Sequence, residues 1–178
     1  EATELAPLRR RTKAREVAMQ FLYQLDLRGE PVMEDLSEFL TSATSDPEIL
    51  EFSLRLVTGT KDLRPELDET LTKVARNWDL RRMATLDRNV LRMAIFELLY
   101  CDDIPPKVSI NEAIDIGKKY STANSGAFIN GILDRVKNEF VSPEKLRRGP
   151  SPRGGRPGGR APREGKPDKK LGVEPSAP

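Results

Sequence analysis

The chain has 178 residues, of which 33% are charged, and its net charge is +2. It contains no histidine and one cysteine, Cys101, which excludes histidine-based triads, histidine metal sites and an internal disulfide. No run resembles a signal peptide or a membrane span, and no glycine-rich cofactor loop is present. We therefore expect a soluble, cytoplasmic protein that has no cofactor.

The small net charge hides two regions of opposite sign. Residues 142–178 carry 10 Lys and Arg against 4 Asp and Glu, whereas residues 1–141 have a net charge of −4. We expect a flexible N-terminus over 1–8, one folded domain over 9–141 and a disordered, basic Pro/Gly/Arg-rich tail over 142–178. The tail sequence RGGRPGGR resembles the RGG segments of RNA-binding proteins, and a plain solubilising tail is the alternative.

The first predicted element is a helix over RRRTKAREVAMQFLYQLDLRG. Apolar residues from Ala14 to Leu25 recur at helical spacing, and Gly29 ends the pattern. Cations crowd its start and oppose the helix dipole, which favours a phosphate-binding patch over a solvated basic end. These cations are Arg9, Arg10, Arg11, Lys13 and Arg15. Tyr23 lies further along, where an aromatic ring could stack on a base, although a half-buried tyrosine is the simpler interpretation.

Three more amphipathic helices are predicted between residues 32 and 78. The second spans Val32 to Ala43, and the third begins at Pro47 with Asp46 as its N-cap. The fourth spans Leu63 to Trp78 and places Trp78 on its apolar face. Gly59 lies inside the third helix, where glycine costs ~1 kcal/mol relative to alanine. Close approach of another helix would explain it.

The fifth predicted helix, LDRNVLRMAIFELLY over Leu86 to Tyr100, is apolar on every side. Such a helix belongs in the centre of a soluble protein and is too short to span a membrane. We therefore expect it to be the hub of an all-α domain. If buried, Glu97 needs a partner, and backbone amides at the start of a neighbouring helix would supply one. Its predicted role is structural.

Two helices follow the hub and complete a compact bundle of about seven helices. The run Ser109-Ile110-Asn111-Glu112 is a capping box that predicts the start of the sixth helix. The loop STANSGAF then leads into a seventh helix, whose apolar face begins at Phe128.

Three stretches together resemble the NusB family of bacterial transcription antitermination factors. They are RRRTKAREVAMQFLYQLDL, LDRNVLRMAIFELLY and IPPKVSINEAIDIGKKYSTANSGAFINGILDRV. The resemblance implies two packed helical subdomains with no catalytic or metal-binding residues. It also implies binding of boxA RNA with the ribosomal protein NusE, in the RNA polymerase elongation complex with other Nus factors, mainly during rRNA transcription. No membrane partner is expected, and the free protein is expected to be a monomer or a weak homodimer.

The resemblance also assigns residues. The family's first helix begins with an arginine-rich stretch that binds RNA, and the matching residues here are Arg11, Lys13 and Arg15, with Arg10 beside them. The resemblance assigns RNA binding to three further residues: Tyr23, Asn124 and Phe128. Asp87, with Arg88 beside it, matches a carboxylate near the NusE surface. Family members often carry an acidic residue at the position of Asn124 and a basic one at that of Ala127. The loss of the acidic residue is expected to reduce repulsion from the RNA phosphates, and the loss of the basic residue is expected to remove an attraction.

Two alternatives remain at this point. A NusB-like domain also begins certain rRNA cytosine methyltransferases, and a helical scaffold could bind protein alone. The absence of histidine and of a glycine-rich loop counts against an enzyme.

Overall fold

The computed structural model describes residues 6–76 and 78–148, so the predicted tail from residue 149 onward lies outside the described residues. Within these ranges the chain forms α-helices and two short 3-10 turns, without a strand, which confirms the all-α prediction. The helices are α1 (Pro7–Arg28), α2 (Leu36–Ala43), α3 (Pro47–Asp62), α4 (Arg64–Val74), α5 (Thr85–Tyr100), α6 (Pro106–Tyr120), α7 (Ser125–Phe140) and α8 (Pro143–Arg147). The 3-10 turns span Glu30–Asp35 and Leu80–Arg82.

Helix α5 is the hub of the fold, as its sequence predicts. Every residue from Asn89 to Leu98 is buried. The helix contacts α1, α3, α4, α6 and α7, so these five helices surround it. Because α5 is apolar on all sides, each neighbour can bury its own apolar face against it.

The predicted helix starts succeed in one case and fail in another. Asp46 caps α3 by accepting a hydrogen bond from the backbone N–H of Glu48 at 2.9 Å, as predicted. The capping box at Ser109 is wrong, because α6 begins one turn earlier at Pro106. Proline suits the first position of a helix, since its fixed φ is helical and its missing N–H would be unpaired there.

Trp78 does not lie on the core face of α4. The helix ends at Val74, and Ala75 leaves helical geometry with a ψ of 58°. Leu67, Leu71 and Val74 complete the buried face without the tryptophan. Trp78 is 57% exposed, so its predicted core position is wrong.

The folded part extends beyond the boundary predicted at Val141. Ser142 caps α8 by accepting a hydrogen bond from the backbone N–H of Lys145 at 3.2 Å. The Lys145 ammonium is buried and donates to the carbonyls of Glu97 and Leu98 at 2.7 and 2.6 Å. Both carbonyls lie in the last turn of α5, and that of Glu97 also accepts the backbone N–H of Cys101 at 3.2 Å. Burial lowers the pKa of Lys145.

Gly59 marks the close approach of α3 to α5. A β-carbon at this position would overlap the Phe96 ring. Gly131 of α7 provides a matched control, because a β-carbon there would meet no atom within 4 Å.

We expect Gly59→Ala to lower the free energy of unfolding, because overpacking costs about 1–3 kcal/mol and outweighs the gain of ~1 kcal/mol in helix propensity. Gly131→Ala should raise the stability by up to ~1 kcal/mol. Urea unfolding of both variants measures the difference. Equal stabilisation by the two substitutions would contradict the close approach.

Candidate nucleic-acid interface

The cations at the start of α1 have different surroundings. Arg10 lies near two carboxylates, with Nε 3.1 Å from Asp46 and Nη1 3.0 Å from Glu48. Arg11 lies over the Phe52 ring, 4.4 Å from its centroid, with about half of its side chain exposed. Lys13 is exposed. Part of the predicted basic patch is therefore open to an anionic ligand.

Arg15 does not belong to that patch. Its guanidinium is 1% exposed and donates from Nη2 to Oε1 of Glu97 at 2.7 Å and from Nε to both carboxylate oxygens at 3.0 and 3.1 Å. The Ser109 hydroxyl donates to the same Oε1 at 3.2 Å. The predicted phosphate contact of Arg15 is wrong, because the side chain is buried and its charge is paired. The partner predicted for Glu97 is also wrong, since an arginine takes the place of backbone amides.

A second charge cluster fixes the other end of α1. The Asp26 carboxylate accepts hydrogen bonds from Arg88 at 2.8 Å and Arg92 at 3.1 Å, both from α5, and Arg64 of α4 adds a contact at 3.1 Å. Burial alone would raise the pKa of Asp26, but the hydrogen bonds from Arg88 and Asn89 and the nearby arginine charges outweigh it and lower the pKa. The carboxylate is therefore ionised at neutral pH and holds α1 against α5.

Side chains of α1 and α6 meet at two points on the surface, which together we call the seam. The Thr12 hydroxyl donates to Glu112 at 2.9 Å, and further along the Lys119 ammonium donates to Glu16 at 2.9 Å. The contact that lies later in α1 also lies later in α6, so the two helices run in the same direction. The exposed start of α1 and the end of α6 thus lie along one continuous surface.

An open groove of about 560 Å³ lies at the far end of this seam. Tyr23, which is 37% exposed, lines it together with Tyr120. The remaining lining residues come from α1, α2 and the start of α5: Met19, Gln20, Gln24, Phe39, Ala84, Thr85 and Leu86. Aromatic rings with amide side chains beside them can stack on bases and hydrogen-bond to their edges.

Asn124 and Phe128 both lie at the start of α7. Asn124 is exposed at the N-cap, and Phe128 is partly buried one turn later. The Ser125 hydroxyl donates to Asp87 at 3.2 Å and so joins the start of α7 to the start of α5, which lines the groove. Neither Asn124 nor Phe128 lines the groove, so a surface shared with Tyr23 stays a prediction.

The two residues predicted to bind a protein partner have internal contacts. Asp87 is buried, so its predicted direct contact with a partner is wrong. Arg88 donates to Asp26 and to the carbonyl of Leu80 at 2.9 Å, and 15% of its side chain is exposed. Its role in partner binding stays a prediction.

Sequence reasoning missed Tyr120 and Lys119. Neither residue is assigned a role from the sequence. The available signal was an aromatic residue beside two lysines, immediately before a small polar loop, in the string KKYSTANS. That pattern is also typical of a solvated helix end. Only the contact of α6 with α1 distinguishes a part of the interface from such an end.

Comparison with known proteins gives consistent matches over the folded region. The NusB family model matches residues 12–138. The chain belongs to the NusB family. The transcription antitermination protein NusB of Desulfosudis oleivorans is 45% identical over 141 residues, which cover 75% of this chain and 89% of the relative. That of Anaeromyxobacter dehalogenans (strain 2CP-1) is 50% identical over 128 residues, which cover 71% and 89%.

Solved NusB structures share the fold. T. maritima NusB is 38% identical, with a TM-score of 0.68 over 76% of this chain and 96% of that one. A structure of the antitermination factors NusB and NusE in complex with dsRNA is 28% identical, with a TM-score of 0.67 over 73% and 97%. The NusB match stops before α8 and begins after Arg10 and Arg11.

No cluster of three or more His, Cys, Asp or Glu side chains within residues 6–76 and 78–148 could hold a metal ion. In the same part of the chain, no helix has both the length and the apolar character needed to cross a membrane.

Removing one member of the Arg15–Glu97 pair leaves a buried, unpaired charge. We expect Glu97→Leu and Arg15→Met each to lower the free energy of unfolding by about 3–5 kcal/mol. The double variant Arg15→Met/Glu97→Leu should recover most of that loss, because neither charge remains. Denaturant unfolding of the three variants measures the coupling. Small, additive losses would show that the pair does not hold α1 on α5.

Proposed function

We propose that the chain is an antitermination factor that binds boxA RNA together with the ribosomal protein NusE. In this role it supports processive elongation within the RNA polymerase complex, mainly on rRNA operons, and acts in the cytoplasm as a binding factor without enzymatic activity. The curated relatives are named transcription antitermination proteins, and a related solved structure contains NusB, NusE and dsRNA.

The observation that carries the proposal is the continuous surface from Lys13 to the groove at Tyr23 and Tyr120. Lys13 and Lys119 are exposed cations that can neutralise phosphates along the seam between α1 and α6. The two tyrosines then supply rings for stacking at its end. Phosphate contacts position a strand and base contacts select its sequence, and this surface offers both.

The direct test is a filter-binding assay with boxA RNA and a scrambled RNA of the same length, each with and without NusE. We expect tighter binding of boxA than of scrambled RNA, and a further gain for boxA alone when NusE is added. Equal affinities for the two RNAs in the presence of NusE would contradict the proposal.

The exposed cation at Lys13 gives a second test. Each phosphate contact on a single strand contributes about 0.7 to the slope of log affinity against log salt. We expect Lys13→Ala to weaken binding to all RNAs alike and to reduce that slope by about this amount. Lys61→Ala is the control, because Lys61 lies at the end of α3 and does not line the groove. Equal slopes for wild type and Lys13→Ala would remove Lys13 from the RNA surface.

A further inference from the structure

Trp78 is the only tryptophan of the chain, and it lies between α4 and the 3-10 turn Leu80–Arg82 with 57% of its surface exposed. Tryptophan is usually well buried, although isolated exposed apolar residues are common. The exposure of Trp78 is therefore not by itself evidence of a binding site. The groups around the indole are more informative.

The indole packs against Phe128. The two ring centroids are 5.2 Å apart and the ring planes meet at 60°, an edge-on arrangement. Such a contact holds the indole in place and leaves a large part of its surface open. Phe128 lies one helical turn after the exposed Asn124, so the pair adjoins the start of α7.

Three exposed arginines lie within four residues of Trp78 in the sequence. Arg76 lies 3.8 Å from Glu139 with 74% of its side chain exposed, and Arg81 lies 3.2 Å from Asp79 with 90% exposed. Arg82 is exposed as well. Exposed ion pairs of this kind are weak and open readily to a competing anion. The three arginines outnumber the two carboxylates, so the patch carries a net positive charge.

The segment that carries Trp78 leads directly into the residues that line the groove at Tyr23. Arg82 precedes Ala84, which lines the groove, by two residues. The Arg88 guanidinium donates to the carbonyl of Leu80 and thereby fixes the 3-10 turn on α5. The hydrogen bond from Ser125 to Asp87 fixes the start of α7 to the same end of α5. The indole and one wall of the groove are therefore both attached to the first turns of α5.

We propose that Trp78 stacks on one unpaired base of the bound RNA strand, outside the groove, while Arg76, Arg81 and Arg82 contact its phosphates. Base–aromatic stacking beside arginines is how proteins hold single strands without reading their sequence. The inference rests on the proposed function, because the same RNA occupies the groove. It adds a contact that increases affinity and does not select boxA.

The first test uses the intrinsic fluorescence of the full chain, whose tryptophan emission comes from Trp78 alone. A boxA RNA extended by several nucleotides at either end is titrated without NusE. We expect quenching that saturates with the same midpoint as filter binding. Unchanged emission at saturating RNA would overturn the proposal.

The second test compares variants of the full chain. Trp78→Ala should weaken binding of boxA and scrambled RNA alike by about tenfold, equivalent to about 1.4 kcal/mol. Trp78→Phe should retain most of the affinity, because it keeps a ring. Tyr100→Ala is the control, since Tyr100 is 46% exposed at the opposite end of α5. Thermal melting of each variant tests its folding.

The outcomes separate this inference from the proposed function. Wild-type affinity in Trp78→Ala overturns the inference alone, and failure of the wild-type chain to bind boxA RNA with NusE overturns both. Loss of NusE binding with unchanged RNA binding in Trp78→Ala would overturn it in favour of a protein contact. If Trp78→Ala fails to fold, the test rests on two other measurements, the fluorescence quenching of the wild-type chain and the RNA affinity of Trp78→Phe. Absence of quenching would then overturn the inference.

Discussion

The buried pair of Arg15 and Glu97 is the interaction on which the candidate surface depends. It joins α1 to the hub helix across 82 residues of sequence, with both side chains 1% exposed. Desolvating two charges costs several kcal/mol per ion, so such a pair adds little net stability. Its consequence is geometric, because an α1 that rotated or slid on α5 would leave both charges unpaired.

The Asp26 cluster applies the same constraint near the other end of α1. Arg88 and Arg92 of the hub bind its carboxylate, whose pKa is lowered by hydrogen bonds and charge in spite of burial. Because the Arg15–Glu97 pair and the Asp26 cluster both fix the inner face of α1 on α5, the outer face that carries Lys13 and Tyr23 has a defined orientation. The seam with α6 and the groove at Tyr120 follow from that orientation.

The sequence predicts the fold better than the site, for a physical reason. An all-round apolar α5 can only be central, and the periodicity of its neighbours shows which faces pack on it. Local pattern cannot show that Arg15, one cation in a basic run, pairs with a carboxylate far along the chain. Nor can it show that α4 ends before Trp78, because Trp78 continues the apolar spacing of Leu67, Leu71 and Val74. Both errors concern tertiary partners, which local spacing does not specify.

The central claim is that RNA follows the outer face of α1 to the groove between Tyr23 and Tyr120. Photo-crosslinking of boxA RNA carrying a thio-substituted uridine, followed by mass spectrometry of the crosslinked peptides, tests it most directly. We expect crosslinks to the Tyr23 region of α1 and to the end of α6 around Tyr120. Crosslinks confined to α3 or to residues 149–178, with none in α1 or α6, would contradict it.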